Sequence, residues 1–409
     1  MELVAPAGNL EKLTYAWAYG GDAAYIGLKK FSLRVKADNF HDDEHAEITR
    51  LKQHYADQRT PKRLFCALNI SFHNKDIASF LEQKEYFRQY PFDAFIVQDI
   101  GIIRVLQREF PDIPLHLSTQ ANCINAEAVA MYQDMGISRV VLGREASLAE
   151  IAEIKQHVPE MSLECFAHGA MCIAYSGRCL MSAYMTGRSA NQGFCSHSCR
   201  WDYRFVEEKE RPGEYYPVIE GDDFTAVFSS RDLCMIDHLD DMKKAGVDAI
   251  KIEGRMKSLY YTALTTRAYR KQLDVLAGKI TPKKAEPFVQ ELHHVAHREF
   301  ETGFYYDRSA ADKTTSGQSR SPYRLAGTVG ERVPGTEDDW IFLSMNKITD
   351  EDSLEAVGPD IVSLKLDDAE LINPETGEKR TWVCHGHPCI LRTKAALEPG
   401  YIIRTHETS

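Results

Sequence analysis

Cys172, Cys179, Cys195 and Cys199 lie on one stretch, "FAHGAMCIAYSGRCLMSAYMTGRSANQGFCSHSCRWDY", with the spacing C-x6-C-x15-C-x3-C. Thiolates so grouped are the preferred ligands of an iron–sulfur cluster or of zinc. Gly169, Gly177, Gly187 and Gly193 punctuate the stretch and let a backbone pass close to a bulky group. Zinc sites of four cysteines usually use two tight knuckles, and the first pair here is too widely spaced for one. A [4Fe–4S] cluster accepts the irregular spacing, with these four cysteines as its ligands. The C-x3-C-x2-C pattern of radical enzymes is missing, since Asp202 falls where its third cysteine would stand. Cys234, in "SSRDLCMID", is a reserve ligand. "CHGHPC" places Cys384, His385, His387 and Cys389 together, but strand alternation would split them between two faces, in no closed zinc spacing.

Hydrolase chemistry finds poorer support. "AYSGR" has Ala174 where a nucleophile elbow needs glycine, and "HDDEH" is not H-E-x-x-H. His168 beside Cys172 meets the minimum for a cysteine peptidase, but leaves three clustered cysteines without a purpose.

The elements that must position these residues follow a strand–helix rhythm. "MELVAPAG", "GGDAAYIGL", "RLFCALNI", "PFDAFIVQDIG", "IPLHLSTQA", "GISRVVLGREAS", "LECFAHG" and "GVDAIKIEGR" read as eight strands separated by helical stretches. This predicts an α/β fold, a TIM-like (β/α) barrel over residues 1–310, with the cysteine loop at 166–203 and a helical extension at 256–300. Polar residues just after barrel strands form the active face. Asp99, Gln120, His168 and Glu253 are therefore the catalytic candidates, and Arg144, Lys251 and Arg255 suit an anionic small molecule, because such cations grip carboxylates. A Ser/Thr/Gly-rich connection at 314–321 leads to short strands, predicting a small all-β, barrel-like domain over 322–409.

The chain has 409 residues, 44% of them hydrophobic, and a formal net charge of −11. That charge argues against indiscriminate adhesion to polyanions. Residues 251–284 run against the average, with nine Lys or Arg against Glu253 and Asp274. Arg267, Arg270 and Lys271, with Tyr260, Tyr261 and Tyr269 as stacking partners, make this segment a candidate RNA interface. No signal-like start or long apolar run is present, so a cytoplasmic, non-membrane protein is expected, with reduced thiols. Isolated Cys66 and Cys123 then read as small buried hydrophobes.

"ECFAHGAMCIAYSGRCLMS" resembles the signature of the U32 family of collagenase-like peptidases, E-x-F-x2-G-[SA]-hydrophobic-C-x4-G-x-C-x-hydrophobic-S, at every position. "MELVAPAGN", "LSTQANCIN", "NQGFCSHSCRW", "IKIEGRMKS" and "FETGFYYD" are similar to other segments of that family. The resemblance implies an iron–sulfur protein that installs 5-hydroxyuridine at the wobble position of tRNA, independently of O2 and dependent on prephenate. Other branches imply hydroxylation of rRNA or a quinone ring, and the older family label implies a peptidase.

Overall fold

The computed structural model describes residues 1–32, 40, 44–172, 176–177, 179, 181–186, 190–192, 195–196, 219–221, 224–226, 230–306 and 321–406. Eight parallel strands close on themselves: β1 (Glu2–Pro6), β2 (Ala23–Ile26), β3 (Arg63–Leu68), β4 (Ala94–Val97), β5 (Leu115–Leu117), β6 (Ile137–Val141), β7 (Ser162–Ala170) and β8 (Ala249–Ile252). Closure comes from β8, which pairs in parallel with both β1 and β7. These are the eight strands expected from the sequence, and the barrel is TIM-like.

Short, almost wholly buried runs such as "AAYI" and "AFIV" are what a parallel sheet covered by helices requires. Capping starts the helices between them. Asp99 accepts from the amides of Gly101 and Ile102 at the start of Ile100–Glu109, and Ser147 with Glu150 forms a capping box at Leu148–His157. Between β7 and β8 the chain makes a long excursion that carries the cysteines. It returns as a strand, Asp232–Cys234, antiparallel to β7 and flanked by Phe300–Glu301.

The described residues divide into two compact units: 1–17, 21–257 and 297–318, and then 18–20, 258–296 and 319–409. The helical extension that the sequence reading attached to the barrel thus groups with the C-terminal strands. In that second unit seven strands form one curled antiparallel sheet, which includes Tyr323–Arg332, Asp339–Ser344, Leu354–Val357, Pro388–Arg392 and Ile402–His406. Its core is a single cluster that includes Trp340, Phe342, Leu391 and Ile403.

Helix Leu259–Leu276 starts at Ser258, whose hydroxyl accepts from the Tyr261 amide. Arg267 on this helix is wholly buried and donates to the carbonyls of Gly358 and Ile361, both at 2.6 Å. Arg404 is buried too, joined to Glu291, Glu355 and the Tyr260 hydroxyl. No described helix is long and apolar enough to cross a membrane.

Candidate functional site

Polar side chains after the barrel strands hold the cysteine segment in place. Glu145, beyond β6, accepts from the Ser176 amide at 2.8 Å and from its hydroxyl at 3.2 Å, and Asn122 braces the same carboxylate at 3.3 Å. Thr119, beyond β5, donates to the Ser176 hydroxyl at 3.4 Å. Gly177 follows with φ +73°, and a Cβ there would stand 2.0 Å from the Gln120 carbonyl oxygen. Only glycine fits that combination of backbone angle and close approach.

The flanks are tied as well. Ser230 donates to the Met171 carbonyl at 2.7 Å, the residue before Cys172. The Ser71 amide, beyond β3, donates to the Asn191 carbonyl at 3.0 Å. Ser182, three residues after Cys179, accepts from the amide of Ser196, next to Cys195, at 2.9 Å, and their hydroxyls meet at 2.8 Å. The arms bearing Cys179 and Cys195 are therefore hydrogen-bonded to each other.

Cys172 is exposed, Cys179 and Cys195 are half-buried, and all three are free thiols. Cys199 lies outside the described residues, among which no three His, Cys, Asp or Glu side chains already converge as a ligand set. The fit to a thiolate-bound group rests on donor chemistry: three reduced sulfurs, one exposed and two half-buried, on arms tied to each other and to the barrel. Cys234 stands on the returning strand, opposite His168 of β7.

The catalytic candidates separate on inspection. Asp99 is a helix cap that also accepts from the Phe72 amide at 3.3 Å, so its carboxylate is committed to backbone donors. His168 is buried against Phe300, and burial pushes its pKa down to about 3, which keeps the ring neutral and a very weak base near pH 7. Neither has the freedom that acid–base work requires. Gln120 contributes its carbonyl to the Gly177 contact. Glu253 pairs with Arg144 at 3.2 Å, and its amide donates to the His168 carbonyl.

The three predicted anion anchors are brought around two aromatic rings. The Arg144 guanidinium lies 4.1 Å from the Phe166 ring centroid and also donates to the Ala170 carbonyl. The Lys251 ammonium lies 4.3 Å from the Tyr25 ring, and Arg255 lies 5.9 Å from the same ring. Two glycines make room for Arg255: a Cβ at Gly27 would meet its Nη1 at 2.0 Å, and one at Gly8 its carbonyl oxygen at 2.2 Å. Arg255 donates to the neutral Ser32 hydroxyl at 2.6 Å.

Lys251 is less available, because Glu164 accepts from it at 2.7 Å. Glu164 is completely buried and also pairs with Arg139 at 3.0 Å, which reaches Glu2 at 2.7 Å. Burial alone would raise the Glu164 carboxyl, but the charges of Lys251 and Arg139 outweigh it and hold it down to about 2. Sequence reasoning gave Glu164 no role, although it opens the family signature and is a lone carboxylate inside an otherwise apolar strand, "LECFA".

Of the expected RNA contacts, Arg267 and the three tyrosines are buried and are corrected, while Arg270 and Lys271 are half-buried members of ion pairs. Arg267 faces carbonyl oxygens inside the second unit, Arg270 pairs with Asp274 at 3.1 Å, and Lys271 pairs with Asp360. Tyr260, Tyr261 and Tyr269 are buried, so none offers a ring face to a base. The charge run marked a packed helix; its exposed cations are Lys279, Lys283 and Lys284.

The chain is 35% identical over 402 residues to "tRNA hydroxylation protein P" of Escherichia coli, covering 88% of this chain and 86% of that one. It is 36% identical over 310 residues to an "uncharacterized protease" of Methanocaldococcus jannaschii, covering 75% and 73%. Against the "23S rRNA 5-hydroxycytidine C2501 synthase" of Escherichia coli the identity is 31% over 392 residues, covering 93% of this chain and 56% of that one. The profile of peptidase family U32 matches residues 8–315, the span that contains barrel strands β2 to β8 and the cysteine segment, and the chain belongs to that family.

Proposed function

We propose that this protein is an iron–sulfur-dependent RNA hydroxylase that acts on tRNA. In the finer reading it forms 5-hydroxyuridine at wobble position 34 without O2, and prephenate is its co-substrate. The observation that carries the proposal is the seating of the cysteine segment on the active face of the barrel through Glu145, Ser176 and Gly177, on the same β6 loop as Arg144. Relatives named for tRNA hydroxylation and for 5-hydroxycytidine synthesis support the substrate class.

Cys172, Cys179, Cys195 and Cys199 would hold a [4Fe–4S] cluster, which supplies one-electron chemistry when bound. Arg144 and Arg255 bind carboxylates of the co-substrate, while the Phe166 and Tyr25 rings supply flat apolar walls. Glu253 orients the Arg144 fork, and Glu164 holds Lys251 in place.

In the barrel unit, the peptidase reading lacks an activated serine nucleophile among the described residues. The Ser176 hydroxyl is bonded to Glu145 and Thr119, and no described imidazole activates it. Anaerobic purification with iron and sulfide assays tests the proposal. About four irons per chain and a broad absorption band near roughly 400 nm are expected for a cysteine-bound cluster. Nucleoside analysis of tRNA from cells lacking the native copy should then show 5-hydroxyuridine restored by this chain. An iron-free, folded protein, or a cluster-bearing protein that leaves tRNA unmodified, would overturn it.

A further inference from the structure

The C-terminal sheet carries chemistry that the barrel does not use. In the turn "CHGH" the Cys384 sulfur stands 3.0 Å from Nδ1 of His387. The same Nδ1 lies 3.2 Å from the Cys384 carbonyl oxygen, and the His387 amide donates to that carbonyl at 3.1 Å. Gly386, with φ +80° and open space around it, lets the chain turn back so tightly. The other acceptor near the thiol, the His385 carbonyl, is distant at 3.9 Å, so the imidazole is the nearer place for the proton.

Two acceptors therefore converge on one ring nitrogen. In the tautomer with a bare Nδ1, that nitrogen is the acceptor within reach of the thiol proton. Once protonated by the thiol, the same nitrogen donates to both the sulfur and the oxygen. The half-exposed Trp382 ring lies edge-on to His387 at 5.5 Å and flanks the imidazole.

Cys389, five residues on, provides the contrast. It sits in a strand opposite Phe342, 3% exposed, and burial raises its thiol pKa. The two sulfurs are thus divided by the sheet into one half-buried and paired with an imidazole, and one fully buried.

We propose that Cys384 is a modification site, a nucleophilic thiol that exchanges with low-molecular-weight disulfides. The Cys384 proton passes to His387 Nδ1, and the sulfur attacks one sulfur of the disulfide. A new S–S bond forms as the old one breaks, and the departing thiolate takes the proton back from the imidazolium. Cys384 is oxidised to the mixed disulfide, and half of the reagent is reduced to free thiol.

The test uses the full chain, with iodoacetamide as the rate probe at pH 7 and oxidised glutathione as the disulfide, each adduct located by peptide mass spectrometry. Cys384 should be alkylated at least about tenfold faster in the wild type than in H387Q, and faster in the native chain than in urea. Glutathione should appear on Cys384 and be absent from Cys389 until the sheet is unfolded. C384S should lose the adduct from that peptide. Equal rates in wild type and H387Q, or a native rate no higher than the unfolded one, would overturn the proposal.

Discussion

Replacing Glu164 by Gln should destabilise the barrel strongly, because it leaves the buried Lys251 ammonium without its carboxylate and Arg139 with Glu2 alone. Glu164 is 0% exposed and accepts from Lys251 at 2.7 Å and Arg139 at 3.0 Å. Glutamine keeps the shape and one acceptor oxygen but removes the charge. Breaking a buried pair from one side costs about 3–5 kcal/mol. Arg139 retains Glu2 as a partner, which places the loss toward the lower end. At about 2–4 °C per kcal/mol, the midpoint of thermal unfolding should fall by roughly 6–20 °C. Circular dichroism against temperature at pH 7 reads this directly. The pH dependence gives a second reading. The folded Glu164 carboxyl is held below its ordinary value of 4.5, at about 2, so its contribution is fully present above 4.5 and is lost as pH falls toward 2. The gap between wild type and E164Q should hold constant from pH 7 to about 5 and shrink below that. A midpoint within about 2 °C of wild type at pH 7, or a gap that widens on acidification, would refute the reasoning.

Glu145→Ala removes the carboxylate that seats Ser176, forfeiting charge-assisted hydrogen bonds of about 1.5–3 kcal/mol each; iron per chain after anaerobic purification should drop while the far-ultraviolet spectrum is unchanged. Cys199→Ser should lower iron content and abolish tRNA hydroxylation, since a hard hydroxyl replaces a soft thiolate, whereas Cys234→Ser should keep most of both; the reverse pattern would make Cys234 the ligand. Charge reversal at Lys279, Lys283 and Lys284 should weaken tRNA binding and flatten its salt dependence, as filter binding at several salt concentrations would show. Arg267→Ala should instead lower the unfolding midpoint of the second unit, because two buried carbonyls lose their donor; a folded Arg267→Ala chain with unchanged stability but weakened tRNA binding would return this residue to the RNA surface.

The barrel was legible because its signal is local. A buried parallel strand needs a short apolar run, a helix needs its period and its cap, and each is written within about ten residues. The proposed thiol ligands were chosen on equally local grounds, since Cys172, Cys179 and Cys195 stand out by type and spacing. The polar residues that receive their loop, Thr119, Asn122 and Glu145, could be placed only as strand-end positions. Their partner in the loop, Ser176, emerged from the fold.

Charge misled where burial decides the outcome. Arg267, Arg270 and Lys271 look alike in sequence to the exposed Lys279, Lys283 and Lys284, and helical periodicity does not tell which face a second element will cover. The sheet supplies the carbonyls of Gly358 and Ile361 from about ninety residues away, and that long-range pairing turns a cation into a structural fastening. Glu164 is the same case inside the barrel: its partners Arg139 and Lys251 come from β6 and β8, at sequence separations of 25 and 87. Residue types and spacing thus determined the fold class of this protein. Tertiary structure alone decided which charges face solvent and which neutralise one another, because desolvation acts on neighbours in space and those neighbours are distant in the chain.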